Sequence, residues 1–262
     1  MPSFTGNKFS NFYKRLLQIN QSSNTGVDAT TRNVTDGDNG ATSISLSDDV
    51  LSVKPQTDNT TSTFTVNNQG DTTILAVDTT NSLVKVGGGQ VSATTQYKEM
   101  GLYDFSPSAG YHYPLVAHNM LTAESADEFR GDNDWGNGTD PATTLDVSGL
   151  SAQENAIAVY WYMQNDITLD EVRFMATADG SATLNFHLFA YDLDTSSNHG
   201  DLSNGVVHAN GTVAATATTI KTGTMTLDTA NINADKVVIG FVENVTDTSD
   251  VSVSFNIKYH IR

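Results

Sequence analysis

Cysteine is missing from this chain of 262 residues. Its absence excludes disulfide bonds, a thiol nucleophile and any metal site with a cysteine ligand. Stability must therefore come from packing and, we expect, from oligomerisation.

Basic residues and long apolar runs are also scarce. The chain has 13 Lys and Arg against 30 Asp and Glu, and its formal net charge is −17. Nucleic-acid and anionic-membrane binders are normally basic. No run approaches the roughly 18 apolar residues of a membrane helix, and the N-terminus lacks the apolar segment of a signal peptide. We expect synthesis in a cytoplasm, no nucleic-acid binding and no membrane insertion.

The chain contains no G-x-S-x-G, H-E-x-x-H or P-loop motif. Gly87-Gly88-Gly89 is not followed by Lys and Ser or Thr, so it is interpreted as a flexible joint. Glycoside cleavage needs two carboxyl groups about 5–9.5 Å apart, and the chain is short and lacks a long solenoid repeat. We therefore predict a non-enzymatic protein without catalytic residues, cofactor or metal, and keep an enzyme as the weakest alternative.

Six histidines are spread along the chain: His112, His118, His187, His199, His208 and His260. None is spaced from another as metal ligands within one motif are, which argues against a histidine metal site. His187 and His260 fall in alternating strand patterns, where we expect them to point outward or to pair with a neighbour.

Two acidic stretches offer weak calcium-site alternatives, because calcium prefers oxygen ligands. One places Asp192, Asp194, Ser196 and Asn198 at alternate positions but lacks the Gly and Glu of an EF-hand loop. The other contains Asp132, Asp134 and Asp140. Turn formation by Asp and Asn is the commoner explanation for both.

Thr, Ser, Asn, Asp, Gly and Val dominate the composition, which predicts an all-β fold with many short strands. The last strand candidate alternates through Val251, Val253, Phe255, Ile257, Tyr259 and Ile261, which indicates one buried face. We predict a C-terminal jelly-roll-like β-sandwich over residues 156–262. Its strand candidates are residues 156–163, 171–178, 182–191, 205–213, 223–227, 236–243 and 251–261.

The N-terminal region has the only clear helical period, over residues 8–20. Residues 1–32 also carry a net charge of +3, and the rest of the chain carries −20. We predict a short helix and extended arm over 1–43 that anchor the protein to a larger particle, with 20–43 as the polar arm; packing on the chain's own body is the alternative. The anchoring residues are Phe9, Phe12, Tyr13, Leu16 and Leu17 on the apolar stripe, with Lys14 and Arg15 beside it.

The sequence of residues 44–98 predicts a thin, β-rich segment. The stretch "FTVNNQGDTTILAVDTTNSLVKVG", residues 64–87, contains three short strand patterns separated by turn signals. Its apolar side chains are too few for one chain to bury a core of its own. This segment therefore needs a partner surface.

The same stretch resembles the strand–turn–strand units of tailed-bacteriophage fibre and spike proteins, in which a pattern close to F-V-x-N-x-x-G-x-x-x-L-x-V-D-x-x-x-x-x-V-x-V-G recurs. The resemblance covers about 25 residues well and implies a trimeric β stalk rather than any chemistry. Because one chain supplies too few apolar side chains for a core, we expect Leu75, Val77, Val84 and Val86 at or near a three-chain axis. An ordinary sandwich sheet is the alternative.

Residues 99–155 are predicted to be a connector with a long acidic loop around Trp135, a length of loop that is usually functional or packed. Trp135 and Trp161 are candidate surface-recognition residues, and Tyr160 and Tyr162 flank the second of them. Aromatic side chains of this kind also suit a carbohydrate-binding module, although alternation along a strand places at least one of them in the core.

These patterns together predict a homotrimeric structural protein of a phage virion, assembled in the host cytoplasm. Its partners would be its own copies, other capsid or tail proteins, and a glycan or protein of the host surface. A tail fibre would use the sandwich for host attachment, whereas a capsid decoration or head fibre protein would use the arm to stabilise the head. A carbohydrate-binding module is the further alternative.

Overall fold

The computed structural model describes residues 16–21, 26–87, 91–92, 94–118, 135–147, 153–196, 200–217, 219–246 and 248–262. The chain divides into two compact units, Met1–Ala93 and Thr94–Arg262. Nearly every element in the described ranges is an antiparallel β-strand, which confirms the all-β prediction. The described part of the chain contains no helix with the length and apolar character needed to span a bilayer.

The first sheet of the first unit has the order β1-β2-β3-β4. Its strands are β1 (Gln18–Ile19), β2 (Arg32–Thr35), β3 (Ala41–Leu46) and β4 (Leu51–Val53). A tight turn joins β2 to β3, where the Asp36 carboxylate accepts hydrogen bonds from the backbone N–H groups of Asp38 and Gly40. Such Asx turns bend the chain without a long loop.

This sheet corrects two predictions about the N-terminal region. The range 20–43 was predicted as an extended arm, but it contains β2 and the start of β3. The predicted helix over 8–20 lies largely outside the described residues, and its end forms β1, paired with β2 through Ile19 and Val34. The polar strand β2 has one apolar residue, Val34, which is too weak an alternation to predict it.

The second sheet of the first unit has the order β5-β6-β7-β8. Its strands are β5 (Phe64–Asn67), β6 (Thr73–Asp78), β7 (Leu83–Val86) and β8 (Val91–Ser92). The first three are the strands predicted within residues 64–87. A positive φ of 57° at Ser82 closes the β6–β7 turn.

The Asp78 side chain stabilises the β6–β7 hairpin. This side chain is fully buried and accepts hydrogen bonds from the Asn81 backbone N–H, the Asn81 amide and the Lys85 ammonium, at 2.9, 2.9 and 2.6 Å. The hydrogen bond from Lys85 is the main cause that lowers the pKa of Asp78 to about 2. The carboxylate form therefore stabilises the hairpin.

We expect acid to loosen this hairpin. Because the pKa of Asp78 in the folded chain lies below its ordinary value of 3.8, the stabilisation is complete above about pH 4 and declines as the pH falls towards 2. Asp78→Asn should weaken the hairpin at neutral pH and remove this acid response. The amide NMR signals of Asn81 and Lys85, recorded across the pH range, measure both effects. Asp71→Asn, which removes a carboxylate from the exposed β5–β6 turn, is the control. Matching acid curves for wild type and Asp78→Asn would contradict the assignment.

The second unit is a sandwich of two antiparallel sheets. One has the order β10-β18-β13-β14-β16 with β11 also paired to β18, and the other has the order β15-β12-β19-β9 with β17 also paired to β12. The strands are β9 (Thr95–Phe105), β10 (His112–Pro114), β11 (Trp161–Tyr162), β12 (Ile167–Ala178), β13 (Ala182–Leu193), β14 (Leu202–Ala215), β15 (Lys221–Thr224), β16 (Thr226–Leu227), β17 (Asn231–Ile232), β18 (Lys236–Asn244) and β19 (Val251–Ile261).

The inner faces of the two sheets share one core. Phe186 of β13 lies between Phe174 of β12 and Phe255 of β19, with ring centroids 4.5 and 5.7 Å apart. Aromatic pairs at such distances add to the stabilisation from burial. The predicted C-terminal sandwich is thus present, and its jelly-roll connectivity stays a prediction.

The sandwich begins earlier than the predicted residue 156. Strand β9 comes from the range assigned to stalk and connector, and it pairs with β19 from His260↔Thr95 to Val251↔Phe105. The predicted strand over 156–163 is instead a 3-10 helix at Gln153–Ala158 followed by the short β11. The place of β9 is decided by long-range pairing with β19, which local alternation does not reveal.

A second, smaller core covers the outer face of β13 and β18. Trp135 packs on Phe241 with ring centroids 5.7 Å apart, and the Tyr191 hydroxyl donates a hydrogen bond of 2.9 Å to the Ala142 carbonyl. Leu145 forms an isolated bridge with Leu202. The segment 135–147 is therefore held against the sheet, where it forms one wall of the site described next.

Candidate functional site

Strands β10, β13 and β18 bring two histidines and a glutamate together on the outer face of the sandwich. His112 lies directly opposite Glu243, and Glu243 lies opposite Asn185 on its other side. His187 is two residues beyond Asn185 along β13, so its side chain shares that face. The ligand atoms of His112, His187 and Glu243 lie within 4.8 Å of one another, and all three residues are buried. We call these three residues the His–His–Glu cluster.

Hydrogen bonds set the orientation of His112 and Glu243. The His112 Nδ1 is 3.2 Å from the Gly136 carbonyl oxygen, and that contact requires a proton on Nδ1. In the neutral ring, Nε2 then carries a lone pair, and it lies 3.8 Å from Glu243 Oε2. The same oxygen accepts a hydrogen bond of 2.8 Å from the Asn185 amide.

Gly136 makes the first of these contacts feasible. Its φ is +104°, and a Cβ there would lie 2.6 Å from the Ala142 backbone nitrogen. Any larger residue would have to move the segment 135–147. The glycine therefore lets this segment aim a carbonyl group at His112.

His187 lies against the segment 135–147. Its ring centroid is 5.1 Å from that of His112, and its Nδ1 is 3.7 Å from Asp140 Oδ1. Neither of its ring nitrogens has a hydrogen-bond partner among the described residues. Burial, reinforced by the neighbouring His112, lowers the pKa of His187 to about 4. Burial also lowers the pKa of His112, so both rings are neutral at pH 7.

This cluster brings together two histidines whose spacing in the sequence argued against a shared site. His187 does not point outward: it is buried, and it pairs with His112 of another strand. His260 is also nearly buried, and its Nδ1 lies 2.9 Å from Asp170 Oδ1. The signal that could have been noticed is a polar residue inside an apolar strand, as in "NFHLFAY" and "GFVEN".

The described residues of the acidic stretches have side-chain or backbone partners within the protein. Asp192 forms an ion pair with Lys236 and accepts a hydrogen bond from Asn204, and Asp194 accepts from Ser196 in a turn. Of the described residues in the second stretch, Asp140 approaches the His–His–Glu cluster through His187. Asp132, Asp134 and Asn198 lie outside the described residues.

The two tryptophans are not surface residues, which corrects their predicted recognition role. Trp135 is 2% exposed and Trp161 is 8% exposed; Trp161 packs edge-on against Tyr259. The Tyr160 hydroxyl donates to the Gly200 carbonyl, whereas Tyr162 is half exposed. A groove of about 1010 Å³ is lined in part by His118, Tyr160, Trp161 and Tyr162.

The β5–β8 sheet presents an apolar face to solvent. The pairs Phe64↔Val77, Val66↔Leu75, Leu75↔Val86 and Val77↔Val84 are directly opposite across the strands, so these six side chains share one face. Phe64, Val66, Val84 and Val86 are exposed, by 39–44%, and Leu75 and Val77 are half-buried. The structure thus brings all four predicted trimer-core residues together on what we call the apolar sheet face.

Five of the predicted anchoring residues lie outside the described residues: Phe9, Phe12, Tyr13, Lys14 and Arg15. Leu16 and Leu17 directly precede β1. The Leu17 side chain is 68% exposed, so the described body of the first unit leaves it uncovered.

Comparisons with known proteins find no matching family model and no matching curated protein. Among solved structures, a chain of the infectious bursal disease virus Gx strain structure is similar over 66% of this chain, with 8% identity and a TM-score of 0.27. A selenomethionine-labelled alpha-amino acid ester hydrolase is similar over 66%, with 7% identity and a TM-score of 0.28. The matches span 35% and 33% of those chains. Likenesses this distant carry no argument about function.

Proposed function

We propose that this protein is a non-enzymatic structural protein of a phage virion, a homotrimeric fibre-type appendage that is anchored through its N-terminus. The C-terminal sandwich would be displayed outward for attachment to the host surface, as in a tail fibre. The apolar sheet face is the observation that carries the proposal.

The energetics of that face favour a partner. Complete burial of one Val, Leu or Phe side chain contributes about 1.5–3 kcal/mol of stability. Six such side chains remain partly exposed to solvent in this sheet of four short strands. Ordering each backbone residue costs roughly 1–2 kcal/mol. A sheet with so little buried apolar surface is therefore stabilised strongly by whatever covers its open face.

Two further copies of the same chain are the occupant we propose. The six positions of the face are all apolar, so three identical faces can meet around an axis without burying an unpaired charge. The two charged groups of the β6–β7 hairpin, Asp78 and Lys85, pair with each other instead. The resemblance of residues 64–87 to trimeric phage stalks supports the number three.

The N-terminal region supports anchoring to a particle. It combines an amphipathic stripe with the net charge of +3 of residues 1–32, and the remaining chain carries −20. A basic, apolar segment on an acidic body suits docking on a neighbouring virion protein. A tail location and a head location, as a capsid decoration or head fibre protein, both fit this arrangement.

Imaging of labelled virions tests the proposal. A small tag after Arg262, visualised with a gold-coupled antibody, should mark purified particles at one kind of site. Label at the tail tip would support host attachment, and label over the capsid would support head decoration. Intact virions that contain no trace of the protein would overturn the proposal.

The aromatic groove favours a second candidate, a carbohydrate-binding module. Exposed Tyr162 and the groove around it suit stacking on a sugar ring. A glycan array with the full chain tests this function, and release of shorter glycans would instead indicate an enzyme.

A further inference from the structure

We propose that the His–His–Glu cluster binds a divalent transition-metal ion, with zinc the best fit, and that Asp140 completes the site. His112, His187 and Glu243 supply two imidazole nitrogens and one carboxylate oxygen, a donor set that suits zinc. The site would join β10, β13, β18 and the segment 135–147 through one ion. This inference does not depend on the proposed virion function.

The spacing of the donors fits a metal ion. Zinc binds nitrogen and oxygen at about 2.0–2.2 Å, which places neighbouring ligand atoms of a tetrahedral site roughly 3.3 Å apart. The ligand atoms of the cluster lie within 4.8 Å of one another, and His112 Nε2 is 3.8 Å from Glu243 Oε2. Small side-chain movements would therefore close the site around an ion.

The hydrogen bonds of His112 and Glu243 match those that usually support metal ligands. A ligating histidine usually donates its second ring N–H to a carbonyl or carboxylate, which aims the other nitrogen at the ion. His112 does this through the Gly136 carbonyl. Glu243 is held by the Asn185 amide, whose oxygen accepts a hydrogen bond from the Thr212 hydroxyl.

Without an ion, the cluster leaves buried polar groups poorly satisfied. His112 is 0% exposed, and His187 and Glu243 are each 6% exposed. His112 Nε2 and both nitrogens of His187 lack hydrogen-bond partners among the described residues, and no described Lys or Arg pairs with Glu243. A lone pair and a carboxylate oxygen face each other with no hydrogen bond between them. Buried groups of this kind cost free energy, and a cation between them would remove that cost.

Asp140 lies beside His187 at the edge of the cluster and is the fourth ligand that we propose. Its carboxylate is 58% exposed and lies 3.7 Å from His187 Nδ1, so it reaches the cluster from the solvent side. Four protein ligands make a closed site, which is the structural rather than the catalytic arrangement. In a chain without cysteine, such a site would stabilise the fold by linking distant segments, as a disulfide bond does in other proteins.

Metal titration of the full chain tests the proposal. Protein stripped with EDTA and dialysed is titrated with Zn²⁺ alone and with Co²⁺ alone, by calorimetry and by visible absorption of the cobalt form. We expect one ion per chain, a tetrahedral cobalt spectrum and a higher Tm with zinc. His112→Gln and His187→Gln should abolish this binding, and Asn185→Ala should weaken it about 10–100-fold.

The control variant is His260→Gln. His260 is also nearly buried beside an aspartate, but among the described residues it belongs to no cluster of three possible metal ligands, so its loss should leave the metal affinity unchanged. Circular dichroism identifies any variant that does not fold. If the histidine variants fail to fold, the cobalt spectrum and zinc stoichiometry of the wild type decide the question. No binding by the wild type at micromolar metal, or equal binding by folded histidine variants, would overturn the proposal.

Discussion

Val77→Asp together with Val86→Asp is expected to convert a trimer into monomers while the C-terminal sandwich stays folded. Val77 pairs with Val84 and Val86 pairs with Leu75, so both substitutions fall on the apolar sheet face. In a trimer they would bring two carboxylates from each chain to the shared axis. Those charges would have no partners and little water, which makes the assembled state very costly.

Multi-angle light scattering measures this result directly. The wild type should have three times the mass of one chain, and the double variant should have the mass of one. Far-UV circular dichroism should stay close to wild type because Thr94–Arg262 is a separate compact unit with its own core.

Ile74→Asp is the matched control. Ile74 lies on β6 three residues before Val77, it is 52% exposed, and it is not one of the six residues whose cross-strand pairs define the apolar sheet face. The Ile74→Asp variant should remain trimeric, since the new carboxylate stays in contact with water. A monomeric wild type, or a double variant that remains trimeric, would refute the three-chain arrangement.

Strong alternation made the sandwich predictable from the sequence. The strand predicted over 251–261 is β19 with the same ends, and Val251, Val253, Phe255 and Ile257 are buried as the alternation requires. The strands predicted over 171–178 and 182–191 lie within β12 and β13. A strand with one buried face repeats every two residues, so its own sequence carries the signal.

Short, polar or long-range strands were not predictable in this way. Strand β2 has one apolar residue, and β9 belongs to the sandwich because it pairs with β19 about 150 residues later. Residues 156–163 are apolar enough for a strand, yet a 3-10 helix forms over part of them. Apolar content alone does not separate a strand from a buried turn of helix.

The His–His–Glu cluster shows the same limit more sharply. His112, His187 and Glu243 are far apart in the sequence, and the pairing of β10 and β13 with β18 is what brings them together. Spacing rules detect metal ligands that share one motif. They do not detect ligands that meet through the register of a sheet.

Deletion of residues 1–15 is expected to abolish incorporation of the protein into virions without unfolding it. The deletion removes Phe9, Phe12 and Tyr13 of the amphipathic stripe together with Lys14 and Arg15, which is most of the proposed anchor. The first described strand, β1, begins at Gln18, so every described strand is retained. A longer deletion through residue 40 would also remove β1 and β2 and would confuse loss of anchoring with damage to the first sheet.

Particles assembled in cells that supply only the truncated protein provide the measurement, with mass spectrometry of purified virions against the major capsid protein as reference. Lys14→Glu with Arg15→Glu tests the electrostatic part of the anchor, and we expect weaker incorporation that worsens with added salt during assembly in vitro. Lys54→Glu, a charge reversal at an exposed residue that follows β4, is the control and should incorporate normally. Truncated protein that reaches wild-type levels in virions would contradict the proposal that residues 1–15 anchor the protein to the particle.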